Sequence, residues 1–317
     1  MIDYVKLLVV GVDIERLLSL RHLDFVSELN EATGELSTVK TAVYHHCKIT
    51  VHQSGTILFS GSLHKLYNSL VGLYAPNYNP KQKREYKGFN GNLFTLDSFI
   101  DVREHLAEIF DCSPKQMIFQ NVEFGINCIL DYTPQLFIKG LLYHKGKEFE
   151  FSKRGRYAQA IHNNYILKIY NKSEQYGIED HTLRVEIKVR RTEHLKRINI
   201  KAMSDIDKTS LIRAFKLLSQ TFKELVYFDY TLNIESLNIK EKERVKLYSN
   251  PRFWLNDLAS HHRDRHKKQL LKMISNASRN LKKGIITEMR AKCVMINSSS
   301  IELNITQDEV LNNFRVA

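Results

Sequence analysis

Two stretches of strict alternation lie close together in the chain and limit its fold more than any other feature. Residues 165–172 put Leu167 and Ile169 on one side of a strand and Lys168, Tyr170 and Lys172 on the other. Residues 182–189 set Leu183, Val185, Ile187 and Val189 against Arg184, Glu186 and Lys188, with Arg190 continuing the ionic side. Each strand therefore has one apolar face and one ionic face. In a shared sheet, helices cover the apolar side, while the other side carries a tyrosine among cations with a carboxylate beside it. A phenol that can attack, with positive groups to neutralise the oxygens it attacks past, suits chemistry at a phosphodiester.

The remaining pattern says what kind of sheet this is. Residues 3–12 read as a first strand, and 14–30 as a helix carrying Leu17, Leu18, Leu20 and Phe25. Residues 38–44, 47–52 and 56–64 alternate around a Ser54-Gly55 turn and predict an antiparallel meander. Residues 74–91 lose periodicity at Pro76 and Pro80, carry four Lys or Arg from Lys81 to Lys87 and reach Gly88, which reads as a basic loop. Residues 96–110 form an amphipathic helix with Phe99, Val102, Leu106, Ile109 and Phe110 on one face, stopped by Ser113-Pro114.

Residues 117–130 return to strand. Strict alternation puts Met117, Phe119, Asn121, Glu123, Gly125 and Asn127 on one face and Ile118, Val122, Phe124, Ile126 and Cys128 on the other. Residues 133–145 suggest a helix and 147–157 a basic hairpin. Strands and helices mix in both orders, which favours an α+β fold, a central and mainly antiparallel sheet with flanking helices, over a doubly wound parallel sheet. Beyond Ile200 the spacing turns helical: Ser204-Asp205 is read as the cap of a helix through Lys223, and the style continues over 241–247 and 251–274. On this reading residues 1–201 form a catalytic domain and 202–317 a mainly helical, basic DNA-binding region.

Charge narrows the partners. The chain has 317 residues and a formal charge of +12, and ten Lys or Arg between Ser260 and Lys292 meet only Asp264 and Glu288. Such an excess favours a polyanionic partner, nucleic acid before anionic membrane. No run of 18 apolar residues exists and the first residues lack a signal-peptide pattern, so a cytoplasmic protein is expected. Cys47, Cys112, Cys128 and Cys293 are scattered, without a Cys-x-x-Cys pair, and are expected to be reduced and mostly buried.

Candidate site residues follow from the ionic faces. Tyr170 is the candidate nucleophile, and its phenol, with an ordinary pKa of about 10, needs a neighbouring cation such as Lys172 or a metal to favour the phenolate. Glu123 and Glu186 are candidate oxygen ligands for Mg²⁺ or Mn²⁺, and His64, read on the polar face of its strand after Ser60 and Ser62, is a third. Lys168, Arg184 and Lys188 are candidates for holding the backbone of the nucleic acid, and Arg263, Lys267 and Lys268 for binding duplex. Plainer readings exist for each. Strand tyrosines usually pack, strand glutamates beside lysines usually form cross-strand pairs, a histidine at a strand end is usually structural, and a charge run is often only solvated.

The blocks Leu167-Lys168-Ile169-Tyr170-Asn171-Lys172 and Leu183-Arg184-Val185-Glu186-Ile187-Lys188 resemble the nicking enzymes that start rolling-circle replication in filamentous phages and small plasmids, of the broad HUH class. Gly61-Ser62-Leu63-His64-Lys65, Gly88-Phe89-Asn90-Gly91-Asn92, Asn121-Val122-Glu123-Phe124-Gly125 and Met1-Ile2-Asp3 extend the likeness to about two thirds of the chain. The paired histidines of that class, flanking one apolar residue, are absent, and His64 is the candidate that remains.

The resemblance implies a catalytic tyrosine at Tyr170, a metal-binding acid pair at Glu123 and Glu186, and a metal-dependent single-strand endonuclease and ligase. Such an enzyme becomes linked to a 5′ phosphate at the origin. Its partners would be single-stranded and duplex origin DNA with a host helicase and polymerase, in a bacterial host cytoplasm. The alternatives are a non-catalytic regulator that binds an origin or RNA, and a mobilisation relaxase.

Overall fold

The computed structural model describes residues 1–29, 33–82, 85–152 and 154–298. The expected helix end at Asn30, Lys83 and Arg84 of the basic loop, Lys153 of the hairpin and residues 299–317 lie outside them. The fold is α+β, with a ten-stranded antiparallel sheet and flanking helices, and its C-terminal region is helical. Among the described residues no helix is long and apolar enough to cross a membrane.

The first half of the chain runs β1 (Ile2–Val9), α1 (Ile14–Ser19), β2 (Val26–Leu29), β3 (Leu36–Tyr44), β4 (Cys47–Val51), β5 (Ile57–Ser62), α2 (Leu63–Leu70), α3 (Leu96–Phe110) and β6 (Met117–Leu130). There follow α4 (Pro134–Ile138), β7 (Leu141–His144), β8 (Lys147–Glu148), β9 (Glu150–Phe151), β10 (Tyr157–Ile161), β11 (Tyr165–Asn171), α5 (Ser173–Tyr176), β12 (His181–Val189) and α6 (Thr192–Lys196). Last come α7 (Lys208–Lys223), β13 (Leu225–Tyr227), α8 (Ile239–Tyr248), α9 (Arg263–Ala277) and α10 (Leu281–Asn297). The large sheet has the order β2-β3-β4-β5-β1-β6-β12-β11-β10-β9, and a small one has β13-β7-β8.

The chain gathers into two compact units. One comprises Met1–Gly125, Lys188–Phe215 and the described residues from Cys293 onward; the other comprises Ile126–Ile187 and Lys216–Lys292. Both draw on residues from either side of position 201.

In the first unit the meander β3-β4-β5 forms as its alternation predicts, with Ile49 against Phe59 and Ala42 against Ile49 in register. Helix α3 has the expected ends. Thr95 caps it, its Oγ1 accepting from Ser98 N at 3.2 Å, and Phe99, Val102, Leu106, Ile109 and Phe110 are buried. The helix expected over 14–30 is corrected: it stops at Ser19, Leu20 is extended, and Val26–Leu29 pairs with β3, Val26 opposite Thr41. Pairing with an available sheet edge outweighs a helical spacing that only four apolar residues supported.

Strand β6 has the expected extent but not the expected faces. Lys6 lies opposite Asn121 and Leu7 opposite Phe119, so Gln120 is the extra residue of a bulge. The bulge reverses parity, so Met117 and Phe119 join Val122 on the side of Val9, Leu7 and Val5, and all six are buried. Helix α7 is also corrected at its start. Asp207 caps it, accepting from Ser210 N at 2.6 Å, whereas Asp205 accepts from the backbone of Lys201 and Ala202, at 2.8 Å each.

In the second unit the helix expected over 133–145 ends at Ile138, and Leu141–His144 is a buried strand paired with β13. Gly140 allows this change, because Phe228 N donates to its carbonyl at 2.8 Å and a Cβ there would lie 2.2 Å from Phe228 O. The core behind it joins Tyr143, Tyr248, Trp254, Leu270 and Ile274, and the Trp254 indole donates to Tyr248 O at 2.9 Å.

His144, fully buried in β7, gives this unit a pH dependence. Its Nε2 lies 3.0 Å from the carbonyl of Thr221, which can only accept, so Nε2 carries the proton and Nδ1 accepts from His162 Nε2 at 2.8 Å. Burial, then the neighbouring His162, push its pKa down to about 4. The unfolded chain, with an imidazole near 6.5, binds the proton first as pH falls. The contribution of neutral His144 is therefore complete above about pH 6.5 and is lost towards pH 4, amounting to about 3 kcal/mol over that window. Urea midpoints should fall steeply from pH 7 to 4.5, and less so in His144→Gln; parallel curves for the two proteins would show that His144 contributes nothing.

Candidate functional site

Strands β11 and β12 are neighbours in the sheet, and their alternation holds. Tyr165, Leu167 and Ile169 are buried on one side, while Lys168 and Tyr170 are half-buried on the other. Carboxylate Glu186 is the hub of the ionic side. Its Oε1 accepts from Lys168 Nζ at 2.9 Å, and its Oε2 accepts from Arg184 Nε at 2.8 Å and from the Tyr170 hydroxyl at 3.3 Å. Arg184 Nη1 also donates to Asn127 Oδ1 at 2.9 Å.

Glu186 and Arg184 are only 2% and 3% exposed. This ionic face is therefore a desolvated cluster, where charge-assisted hydrogen bonds keep the carboxylate and the guanidinium from being orphaned in a poorly solvated place. Lys172 lies one residue past the end of β11, where the backbone turns helical, and is 1% exposed. Its ammonium lies 5.2 Å from the centre of the Tyr170 ring and 4.9 Å from that of Tyr176. Across the β10–β11 register Tyr157 stands opposite Tyr170, their ring centres 5.7 Å apart.

Glu123 and Lys188 meet in the first unit, Oε1 to Nζ at 3.0 Å, and the Lys188 ammonium lies 5.0 Å from the Tyr4 ring centre. His64 is corrected from strand to helix. Ser62 ends β5 and caps α2, its Oγ accepting from Lys65 N at 3.2 Å, so His64 sits in the first turn and is buried. Its Nε2 donates to Asn92 Oδ1 at 2.7 Å, and its ring stacks on Phe94 at 4.8 Å. A serine that ends a strand and one that caps a helix look alike in an alternating pattern, so sequence alone extends the strand through His64.

Beside it lies a buried polar network that the alternating pattern does not reveal. Asp3 accepts from the Ser62 hydroxyl and, at 2.7 Å, from Asn90 Nδ2, while Asn68 Nδ2 donates to Asn92 Oδ1 at 2.7 Å and Phe89 O at 2.9 Å. The available signal was the density of amides at Asn68, Asn90 and Asn92 among apolar neighbours. Burial holds the Lys65 ammonium below the usual lysine range, partly offset by Asp3.

The duplex-binding candidates lie on α9. Arg263 is half-buried with Nη2 donating to Leu255 O at 3.0 Å, Lys267 lies 3.3 Å from Asp264, and Lys268 is exposed.

Mg²⁺ or Mn²⁺ needs several oxygen donors around one point. Both oxygens of Glu186 already accept from cations, and a divalent ion there would have to displace Lys168 or Arg184. Among the described residues no three His, Cys, Asp or Glu side chains gather as a ligand set. Glu186 in this arrangement does not fit the part of a metal ligand. No protein-family model matches the chain, and no curated protein matches it.

Proposed function

We propose that this protein nicks and rejoins one strand of DNA by transesterification at Tyr170, as an initiator of rolling-circle replication would. The observation that carries the reading is the Tyr170 hydroxyl held on Glu186 Oε2 at 3.3 Å, with Lys168 and Arg184 on the same carboxylate and the Lys172 ammonium beside the ring. A packing tyrosine needs no such cationic surround.

In the reaction, Tyr170 Oη forms a bond to phosphorus and the P–O3′ bond breaks. The phenolic proton passes to Glu186, and the leaving 3′ oxygen takes a proton from solvent. The products are a 5′-phosphotyrosyl protein and a free 3′-OH, and the reverse attack rejoins the strand. Lys168 and Lys172 supply positive charge where the equatorial oxygens gain negative charge, while Arg184 fixes the carboxylate that orients the phenol. A metal remains part of the proposal through the resemblance alone.

The test is supercoiled DNA carrying the sequence that flanks this coding region, incubated with the protein over a titration of Mg²⁺ and Mn²⁺. A nicked circle with protein bound to its 5′ end is the expected product. Salt-sensitive binding without nicking at any metal concentration would replace this reading by that of a non-catalytic regulator.

A further inference from the structure

The segment after α2 builds an aromatic surface that the chemistry at Tyr170 does not use. Tyr74 and Tyr78 stack nearly parallel, ring centres 4.5 Å apart and planes inclined by 15°, and Tyr86 lies 4.6 Å from Tyr78. Tyr86 anchors the group. Its hydroxyl accepts from Ala75 N at 3.0 Å, tying together two points 11 residues apart, and its ring meets that of His46 edge-on at 5.5 Å. Gly88 lets the segment pass His46: its φ is +74°, and a Cβ there would lie 2.7 Å from the imidazole.

Tyr74 and Tyr78 both pack against Tyr86, yet Tyr74 stays 52% and Tyr78 36% exposed, presenting ring surface to water. Lys81 and Lys87 are exposed on the same segment, whose one carboxylate is Glu85. Stacked, exposed aromatic rings on a segment that also carries exposed cations fit a strand whose bases are free to stack and whose phosphates are negative; a duplex hides those base faces.

We propose that the Tyr74–Tyr78 pair is a stacking platform for the unpaired bases of single-stranded DNA. The choice of DNA over RNA rests on the function proposed above; the stacking does not.

The test is fluorescence anisotropy of the full-length protein with a labelled 15-nucleotide oligothymidylate, a binding measurement that requires no cleavage. Tyr74→Ala should raise Kd roughly five- to hundredfold, with an unchanged slope of log Kd against log salt, because a base contact is lost and no phosphate contact. Tyr74→Trp should restore affinity. An oligonucleotide made abasic at successive positions should bind the unaltered protein as weakly as Tyr74→Ala binds the intact one.

A folded Tyr74→Ala/Tyr78→Ala variant with unaltered Kd would overturn the proposal and leave the rings to a protein partner. Tighter binding of an RNA of matching sequence would overturn the choice of DNA. Where the double variant fails to fold, photocrosslinking of a 5-iododeoxyuridine strand to the unaltered protein decides: adducts on Tyr74 or Tyr78 support the platform, and adducts only elsewhere overturn it. Nicking can fail while these results hold, and the reverse, so the two readings fall separately.

Discussion

Tyr170→Phe should abolish the covalent protein–DNA adduct while leaving the fold and DNA binding in place. The substitution removes one oxygen, whose bond to the Glu186 carboxylate is long at 3.3 Å, and since a hydrogen bond to a charged group is worth about 1.5–3 kcal/mol, the loss of stability should stay within about 3 kcal/mol. Adduct formation should fall at least about 10³-fold, the scale on which losing the nucleophile acts in covalent catalysis. Neighbouring phenols should not substitute. Tyr165 is on the opposite face of β11, Tyr176 is buried beside Lys172, and the Tyr157 hydroxyl donates to Gln159 Oε1 at 2.6 Å. Tyr157→Phe should therefore keep the adduct. A labelled origin oligonucleotide resolved on a denaturing gel reads both variants, and an adduct in Tyr170→Phe would remove this tyrosine from the chemistry.

Glu186→Gln should have a second large effect, on stability as well as on cleavage. It leaves the buried Arg184 and the nearby Lys168 without the carboxylate both are held on, and removing one partner of a buried pair costs about 3–5 kcal/mol. Urea unfolding should show it as a lower midpoint. Loss of cleavage in that variant alone would not separate orientation of Tyr170 from damage to the fold. The double variant Arg184→Met/Glu186→Leu does separate them, since apolar replacement of the buried pair should return part of the stability, with Lys168 still lacking its carboxylate, and none of the cleavage. Restored cleavage in the double variant would reduce Glu186 to a structural ion partner. A stable and active Glu186→Gln would contradict both roles.

How far the sequence could be read depended on whether one neighbour or many decided each element. Strands β11 and β12 were legible because alternation over seven and nine residues admits a single register of faces. Helix α3 was legible because Phe99, Val102, Leu106, Ile109 and Phe110 repeat at helical spacing and Ser113-Pro114 stops it. The faces of β6 were not, because one residue at Gln120 reverses their parity and a bulge depends on the partner strand rather than on the residue itself. Residues 20–29 and 139–145 depart from the expected helices for a related reason: short apolar runs follow whatever edge is available to pair with.

Within the site, the grouping of Tyr170, Lys168, Arg184 and Glu186 on one side of two strands was legible. The desolvation of that side was not, since alternation distinguishes two faces without saying which is wet. His64 shows the limit most plainly, since a serine cap two residues earlier turns a strand position into the first turn of a helix.

One measurement addresses directly whether Tyr170 is the attacking group. The adduct formed on origin DNA is digested with nuclease and protease, and the peptide carrying residual nucleotide is sequenced by mass spectrometry. A nucleotide phosphate is expected on Tyr170, within the peptide that also contains Asn171 and Lys172. Nucleotide on any other residue, or nicked DNA with no protein attached to its 5′ end, would contradict it.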